Sequence, residues 1–460
     1  MARSAARRTG SKSSGRRTRS GMRHSSTCMI ISIDFPPTAT RLSDAGTIAM
    51  RDAAGDAGTM NSEAPSIARF RDAVLADEAA MAQLAEPFDP AEFETRALAI
   101  AEAKGIVLTL AELREETRPD PLGIRALMQP PAMIDHWPPR PFLPTRVAPD
   151  AGFAVDWTHF GKAPLDSPFY SGCVLKRGSL PFNRAFRVRT SLAGLLNGSA
   201  DADSIAPTGF IFHMSRCGST LTAQMLAASP ANVVLSEPSP LDAIVQMPQF
   251  APDITRDAHV GAIRATLKAL GRNRGGQAHR LFLKTDSWHI FALDLLLEAF
   301  PGTPWIFLYR DPVEVLVSQA RMRGAQTVPG VIAPQVFGLD PQRVGIADAD
   351  YIAQVLARTC QSAIDQVDRG GLMVDYRTLP AALFDRILPH FGVTLEPGER
   401  EMMAAAAARD AKAPHEAFRQ DSAEKQAEAG ADVRAAAEKH LGGIYARLQA
   451  LSASSPRSAS

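Results

Sequence analysis

Residues 208–220 read TGFIFHMSRCGST, an apolar run that breaks into a polar, glycine-containing loop, and the next nine residues read LTAQMLAAS. The run is short enough for a buried strand and the segment after it is amphipathic at helical spacing. Gly218 permits a close backbone approach, and Ser219 and Thr220 stand where a helix would start. The same alternation recurs three times: RLFLKT before HIFALDLLLEAF, PWIFLYR before PVEVLVSQARMR, and GGLMVDY before LPAALFDRILPHFG. Short apolar strands alternating with longer helices predict an α/β fold, three layers around a mostly parallel central sheet with right-handed crossovers.

Upstream, the pattern changes. Ile67, Phe70, Val74, Leu75 and Met81 recur at helical spacing, Asp89 is placed to cap a helix carrying Phe93, Leu98 and Ile100, and Thr109 to cap another through Leu113. Residues 66–117 are thus expected to form a small N-terminal helical domain of three short helices. Residues 118–150 are dense in proline, which fixes φ and removes backbone donors, and read as an extended linker. The α/β domain is expected over 151–455. Residues 1–65 are expected to be a disordered basic tail, since 1–23 hold eight Arg and Lys side chains and no acid. The tail has three readings: a mis-assigned start, with Met29, Met50 and Met60 as later candidates, a solvated basic arm, or an Arg-rich transit peptide.

Outside residues 1–23, 42 bases face 49 acids, a balance that speaks against nucleic-acid binding. No apolar run approaches the ~18 residues of a membrane span. The four cysteines (Cys28, Cys173, Cys217, Cys360) form no CxxC pair, so neither a disulfide framework nor a zinc site is indicated. The expectation is a soluble, cytoplasmic protein without a metal.

Ligands of such sheets sit where strand ends meet helix starts. At 213–220 the free N–H groups of the helix start attract an anion. An ATPase loop of the Walker A type needs an initial glycine and a lysine before the last Ser/Thr; His213 and Ser219 occupy those places. A ligand-free Gly-Ser-Thr cap is the other reading of the loop itself.

The loop SRCGST resembles the PRSGTT loop that binds the 5′-phosphosulfate in sulfotransferases, a P-loop-like fold, and most of all the tyrosylprotein-type branch. Ser215 replaces the proline and Cys217 a serine. The resemblance implies a donor, 3′-phosphoadenylyl sulfate (PAPS), with Arg216 as catalytic cation and Cys217, Gly218, Ser219 and Thr220 at the 5′-phosphate. In IFLYRDPVEVLVSQ, Arg310 and Ser318 keep the family's spacing for the 3′-phosphate, a task that suits the planar guanidinium, or else Arg310 forms a strand-end salt bridge. Glu237, in VVLSEPSPL, stands where the tyrosylprotein branch carries its general base, or else caps the loop before Pro238. Lys284, at the end of LFLK, stands where the family contacts the transferring group, or else is a snorkelling lysine. VDYRTLP with HFGVTL resembles a pair that closes the family's fold, and Lys412 in KAP is a further candidate for the nucleotide.

PAEFETRALAIAEAKGIVLTLAELREE is similar to the Nif11-type leader domain, which implies peptide or protein docking through 66–117. The resemblances together imply transfer of a sulfuryl group to a hydroxyl or amine of an unknown acceptor. Two alternatives stand beside this: a non-catalytic binding protein of the same fold, and a P-loop small-molecule kinase, which the missing lysine weighs against.

Overall fold

The computed structural model describes residues 65–454, apart from 122–123, 125–127, 130, 201, 341–347 and 413–420. The basic tail expected over 1–65 lies outside the described residues, Pro65 excepted.

The main sheet has five strands: β5 (Pro207–His213), β6 (Asn232–Ser236), β7 (Arg280–Lys284), β8 (Trp305–Tyr309) and β9 (Gly371–Asp375). All pair in parallel, in the order β6-β7-β5-β8-β9. Every residue of β7 and β8 is buried. A strand covered on both faces reads as a continuous apolar run rather than an alternation, which is why LFL and WIFLY signal its position. From β5 the chain travels outward to β6, returns as β7 and crosses to β8 on the other side. The strand order therefore reverses at β5, and the crevice beyond its carboxyl end is where such sheets bind ligands.

A second sheet precedes it, β1 (Ala132–Ile134), β2 (Phe142–Ala148), β3 (Ala154–His159) and β4 (Val188–Thr190), in the order β1-β4-β3-β2. Two of these strands lie inside the stretch that reads as a proline-rich linker. The prolines do not prevent this because β2 is an edge strand and its register slips between Pro144 and Arg146, so the missing donor interrupts no central ladder. Pro144 instead offers its carbonyl to the Tyr170 hydroxyl at 2.8 Å.

The helical unit holds four helices, Ser66–Leu75, Glu78–Ala85, Pro90–Ala103 and Leu110–Thr117. One more arises than the apolar spacing predicts because Asp77 caps a break in the first, its side chain accepting from Ala80 N–H at 3.0 Å. Asp89 and Thr109 cap as expected, Thr109 in a reciprocal capping box with Glu112. Ser66 and the Thr109 hydroxyl and N–H hold the Glu112 carboxyl down to about 2. The buried face, with Phe70, Phe93 and Leu113, packs on the short helix Pro181–Ala185. The rings of Phe70 and Phe186 are 5.9 Å apart, and Arg71 donates to the Ala185 carbonyl at 3.1 Å. The unit thus shares one core with the α/β body.

Candidate functional site

The loop between β5 and the helix Ser219–Ala227 is built against the backbone's own preferences. Ser215 and Arg216 have φ of 73° and 52°, and Gly218, capping the helix, has φ 86°. Left-handed non-glycine residues cost on the order of 1–3 kcal/mol each and persist only where the surroundings over-determine them. Here they do. Ser215 N–H donates to His213 Nδ1 at 3.1 Å, Gln319 Nε2 to Ser215 Oγ at 3.1 Å, and Arg216 to the Met322 carbonyl at 2.7 Å. Since His213 Nδ1 accepts, the ring proton sits on Nε2 and is donated to the Thr285 carbonyl at 2.9 Å. Burial lowers the pKa of His213, in keeping with a neutral ring.

The Cys217 side chain faces the sheet. Its thiol donates to the Leu308 carbonyl at 3.0 Å, and burial pushes it up to about 12. Only the backbone of Cys217 is left to face a ligand, whereas Gly218 needs its missing side chain: a Cβ there would lie 2.7 Å from the Tyr376 ring.

One cavity of about 250 Å³ collects the loop residues 216–220 together with Arg310, Ser318 and Tyr376. Arg310 leaves the end of β8 and places its guanidinium carbon over the Tyr376 ring, 4.1 Å from its centroid. It is buried and already paired: Nε to Glu314 at 2.6 Å, and a terminal nitrogen to Asp421 at 2.7 Å and Ser422 Oγ at 3.2 Å. Asp421 also pairs with Lys425 at 2.7 Å, and Asp410, Lys412 and Lys425 complete that wall. Lys412 stays largely exposed, yet desolvation by its surroundings, with repulsion from Arg216 and Lys284, pushes its ammonium down to about 8.

Glu237 and Lys284 meet at the ends of β6 and β7 as an ion pair, with His213 Nε2 3.5 Å from the same carboxylate. Glu237 is itself left-handed, at φ 51°. Burial opposes its charge, but Lys284 and His213 hold the carboxyl below its ordinary range. Lys284 is fully buried, 5.2 Å from the Phe169 ring centroid, so it does not snorkel to the surface. Behind this pair, Asp242, Asp286 and His289 bring ligand-type atoms within 4.8 Å of one another. Their spacing along the chain does not show it. His289 pairs with Asp242 at 2.9 Å, and Trp288 donates to the same carboxylate at 2.7 Å. Desolvation, with repulsion from Glu237 and Asp242, pushes the Asp286 carboxyl up to about 8.

Residues 216–220 of the β5 motif and Arg310 and Ser318 of the β8 motif therefore open on one cavity, and Glu237 and Lys284 meet at the adjoining strand ends. Residues 207–397 match the family described as the sulfotransferase family. This segment is a sulfotransferase-family domain. The solved sulfotransferase domain of an olefin synthase from Synechococcus PCC 7002 is similar at 16% identity, covering 56% of this chain and 98% of its own, with a TM-score of 0.31. That from the curacin biosynthetic pathway has 16% identity, 51% and 98% coverage and a TM-score of 0.33. A sulfotransferase from Mycobacterium tuberculosis H37Rv has 16% identity, 59% and 87% coverage and 0.31. No curated protein matches the chain.

The sequence motifs do not point to several residues of this cavity. Gln319 is fully buried and ties Ser215 to the helix after β8. Tyr376, in the motif read as closing the fold, lies against both Gly218 and Arg310. Asp421 and Lys425 come from 111 and 115 residues beyond Arg310, with no local motif around them. Among the described residues no helix is long and apolar enough to cross a membrane.

Proposed function

We propose that this sulfotransferase domain takes PAPS as donor and moves its sulfuryl group to a hydroxyl or amine of an acceptor. The observation that carries the reading is the single cavity in which the helix start at 218–220 and the Arg310–Ser318 pair stand together. A nucleotide phosphorylated at both the 5′ and 3′ positions needs two anion sites at a fixed separation. A mononucleotide kinase would have no use for the second.

In this reading, free N–H groups of residues 217–220 receive the 5′-phosphosulfate and Arg310 with Ser318 the 3′-phosphate. Sulfuryl transfer, like phosphoryl transfer, is mainly positioning and stabilisation of spreading negative charge. Arg216 and Lys284 supply the positive charge. The acceptor oxygen or nitrogen forms a bond to sulfur as the bond from sulfur to the 5′-phosphate oxygen breaks. The acceptor proton passes to Glu237, and the electron pair leaves with the phosphate. Paired with Lys284, Glu237 is a weak base; an anion that draws Lys284 toward itself frees the carboxylate, so donor binding would switch on the base. Docking of a peptide acceptor through 66–117 belongs to the same reading, supported by the exposure of Phe88 and Val107 on that unit.

Calorimetric titration with adenosine 3′,5′-bisphosphate beside ATP tests the donor site; tighter binding of ATP would end the proposal. Radiolabelled PAPS with a peptide or metabolite extract tests transfer. Glu237→Gln and Arg216→Ala should each lower turnover roughly 10²–10⁴-fold. Unchanged turnover in either variant would remove the assigned role.

A further inference from the structure

A second cavity, of about 360 Å³, opens at the opposite end of the main sheet. Ile205, just before β5, and Asn232, the first residue of β6, lie on its wall, whereas the donor cavity begins after the carboxyl ends of β5 and β8. The two share no residue, and the length of a five-residue strand, about 17 Å, separates their ends of the sheet. Its other wall is the loop after β3, with Lys162, Pro164 and Leu165, so the cavity is a cleft between the two sheets. Clefts of this kind are favoured places for small ligands.

The charges around it are all of one sign. Lys162, Arg272 and Arg274 line the cleft, and among the described residues no carboxylate does. Each arginine is positioned by one nitrogen only. Arg272 Nη1 donates to the Pro139 and Phe142 carbonyls, both at 3.2 Å, and its guanidinium lies 5.1 Å from the Trp137 ring centroid. Arg274 Nη1 donates to the Gly161 and Ala163 carbonyls at 3.0 and 2.8 Å. A guanidinium has five N–H donors, so most of each remains for another acceptor. Desolvation lowers the pKa of both, that of Arg272 to about 10, as expected for cations in a half-buried place without an acid beside them. Gly275 and Gly276, at φ 78° and 137°, carry the loop past Lys162, and a side chain on Gly276 would meet nothing within 4 Å. The remaining wall is largely apolar, including Leu165, Ile205, Val233 and Val234.

We propose that this cleft is a binding site for a small organic anion with an apolar body, held by Lys162, Arg272 and Arg274 at its charged end. The site is separate from the donor cavity and does not depend on what that cavity binds. Fixed cations in a part-desolvated wall favour an anion, and the aliphatic wall favours a hydrocarbon or aromatic body over inorganic phosphate.

The test uses the full chain and two fluorescent probes, 1-anilinonaphthalene-8-sulfonate and the uncharged N-phenyl-1-naphthylamine. The sulfonate should bind saturably, one per chain, and tighter than its neutral counterpart. Lys162→Glu, at an exposed side chain with no hydrogen-bonding partner among the described residues, should keep the melting temperature and weaken the sulfonate at least about fivefold. Arg274→Gln should weaken it as well, while saturating adenosine 3′,5′-bisphosphate leaves it in place. Equal binding of the two probes, binding untouched by Lys162→Glu, or displacement by the bisphosphate would each overturn the proposal.

Discussion

The two ends of the proposed donor cavity hold their polar groups in opposite ways. At the 213–220 loop the groups facing the cavity are mainly backbone N–H groups of a helix start, held in a strained turn by His213, Gln319 and the contact under Gly218. Among the described residues no carboxylate holds these groups; the loop's one cation, Arg216, is hydrogen-bonded only to the Met322 carbonyl. At the end of β8, Arg310 is buried but already engaged by Glu314, Asp421 and Ser422. There an incoming anion must take the place of a carboxylate. A backbone site is paid for in folding strain, whereas a buried arginine cannot wait without a counter-charge, because an unpaired buried ion costs several kcal/mol.

The difference can be broken from either end. Arg310→Gln should have the largest effect, weakening adenosine 3′,5′-bisphosphate roughly 100-fold, as for a lost charge-assisted pair. Its preference over adenosine 5′-monophosphate should vanish, which calorimetry with both ligands reads directly. Gly218→Ala acts at the other end, placing a Cβ against Tyr376 in a left-handed turn. A loss of about tenfold in affinity for both nucleotides is expected, with a lower melting temperature. Replacing Tyr376 by Leu in the same chain should recover part of it.

Two smaller effects sharpen the contrast. Asp421→Asn removes the charge that competes for Arg310, so the bisphosphate should bind a few-fold tighter and the monophosphate should not change. Weaker bisphosphate binding in that variant would show that Asp421 positions Arg310 rather than competing for it. Lys412, pushed down to about 8, loses its proton as pH rises through that value. Bisphosphate affinity should therefore fall modestly between pH 7 and 9 in the wild type and stay level in Lys412→Met, both read by titration in matched buffers.

The distinction also marks how far the chain could be read before folding. The 213–220 loop, the Arg310–Ser318 spacing and four of the five strands of the main sheet, all but β6, are local patterns of a dozen residues or fewer. Apolar runs buried on both faces and the cap of a helix depend on neighbours in the chain, so they were legible. The proline-dense stretch was not, because an edge strand tolerates proline and being an edge is a property of the assembled sheet. The break at Asp77 was missed for a smaller reason: one capping residue outweighed an apolar spacing that continues through it.

By itself the sequence determined which residues carry charge to the ends of which strands, and so the groups from which the proposed two-phosphate site is drawn. Only the tertiary structure decided what those charges meet first. Lys284 finds Glu237, Arg310 finds Asp421 and Tyr376, and Ser215 finds Gln319, across separations of 47 to 111 residues. Local spacing says nothing about such pairs, because Coulomb and hydrogen-bond partners are chosen by distance in space, and that distance exists only once the sheet has brought the strand ends together.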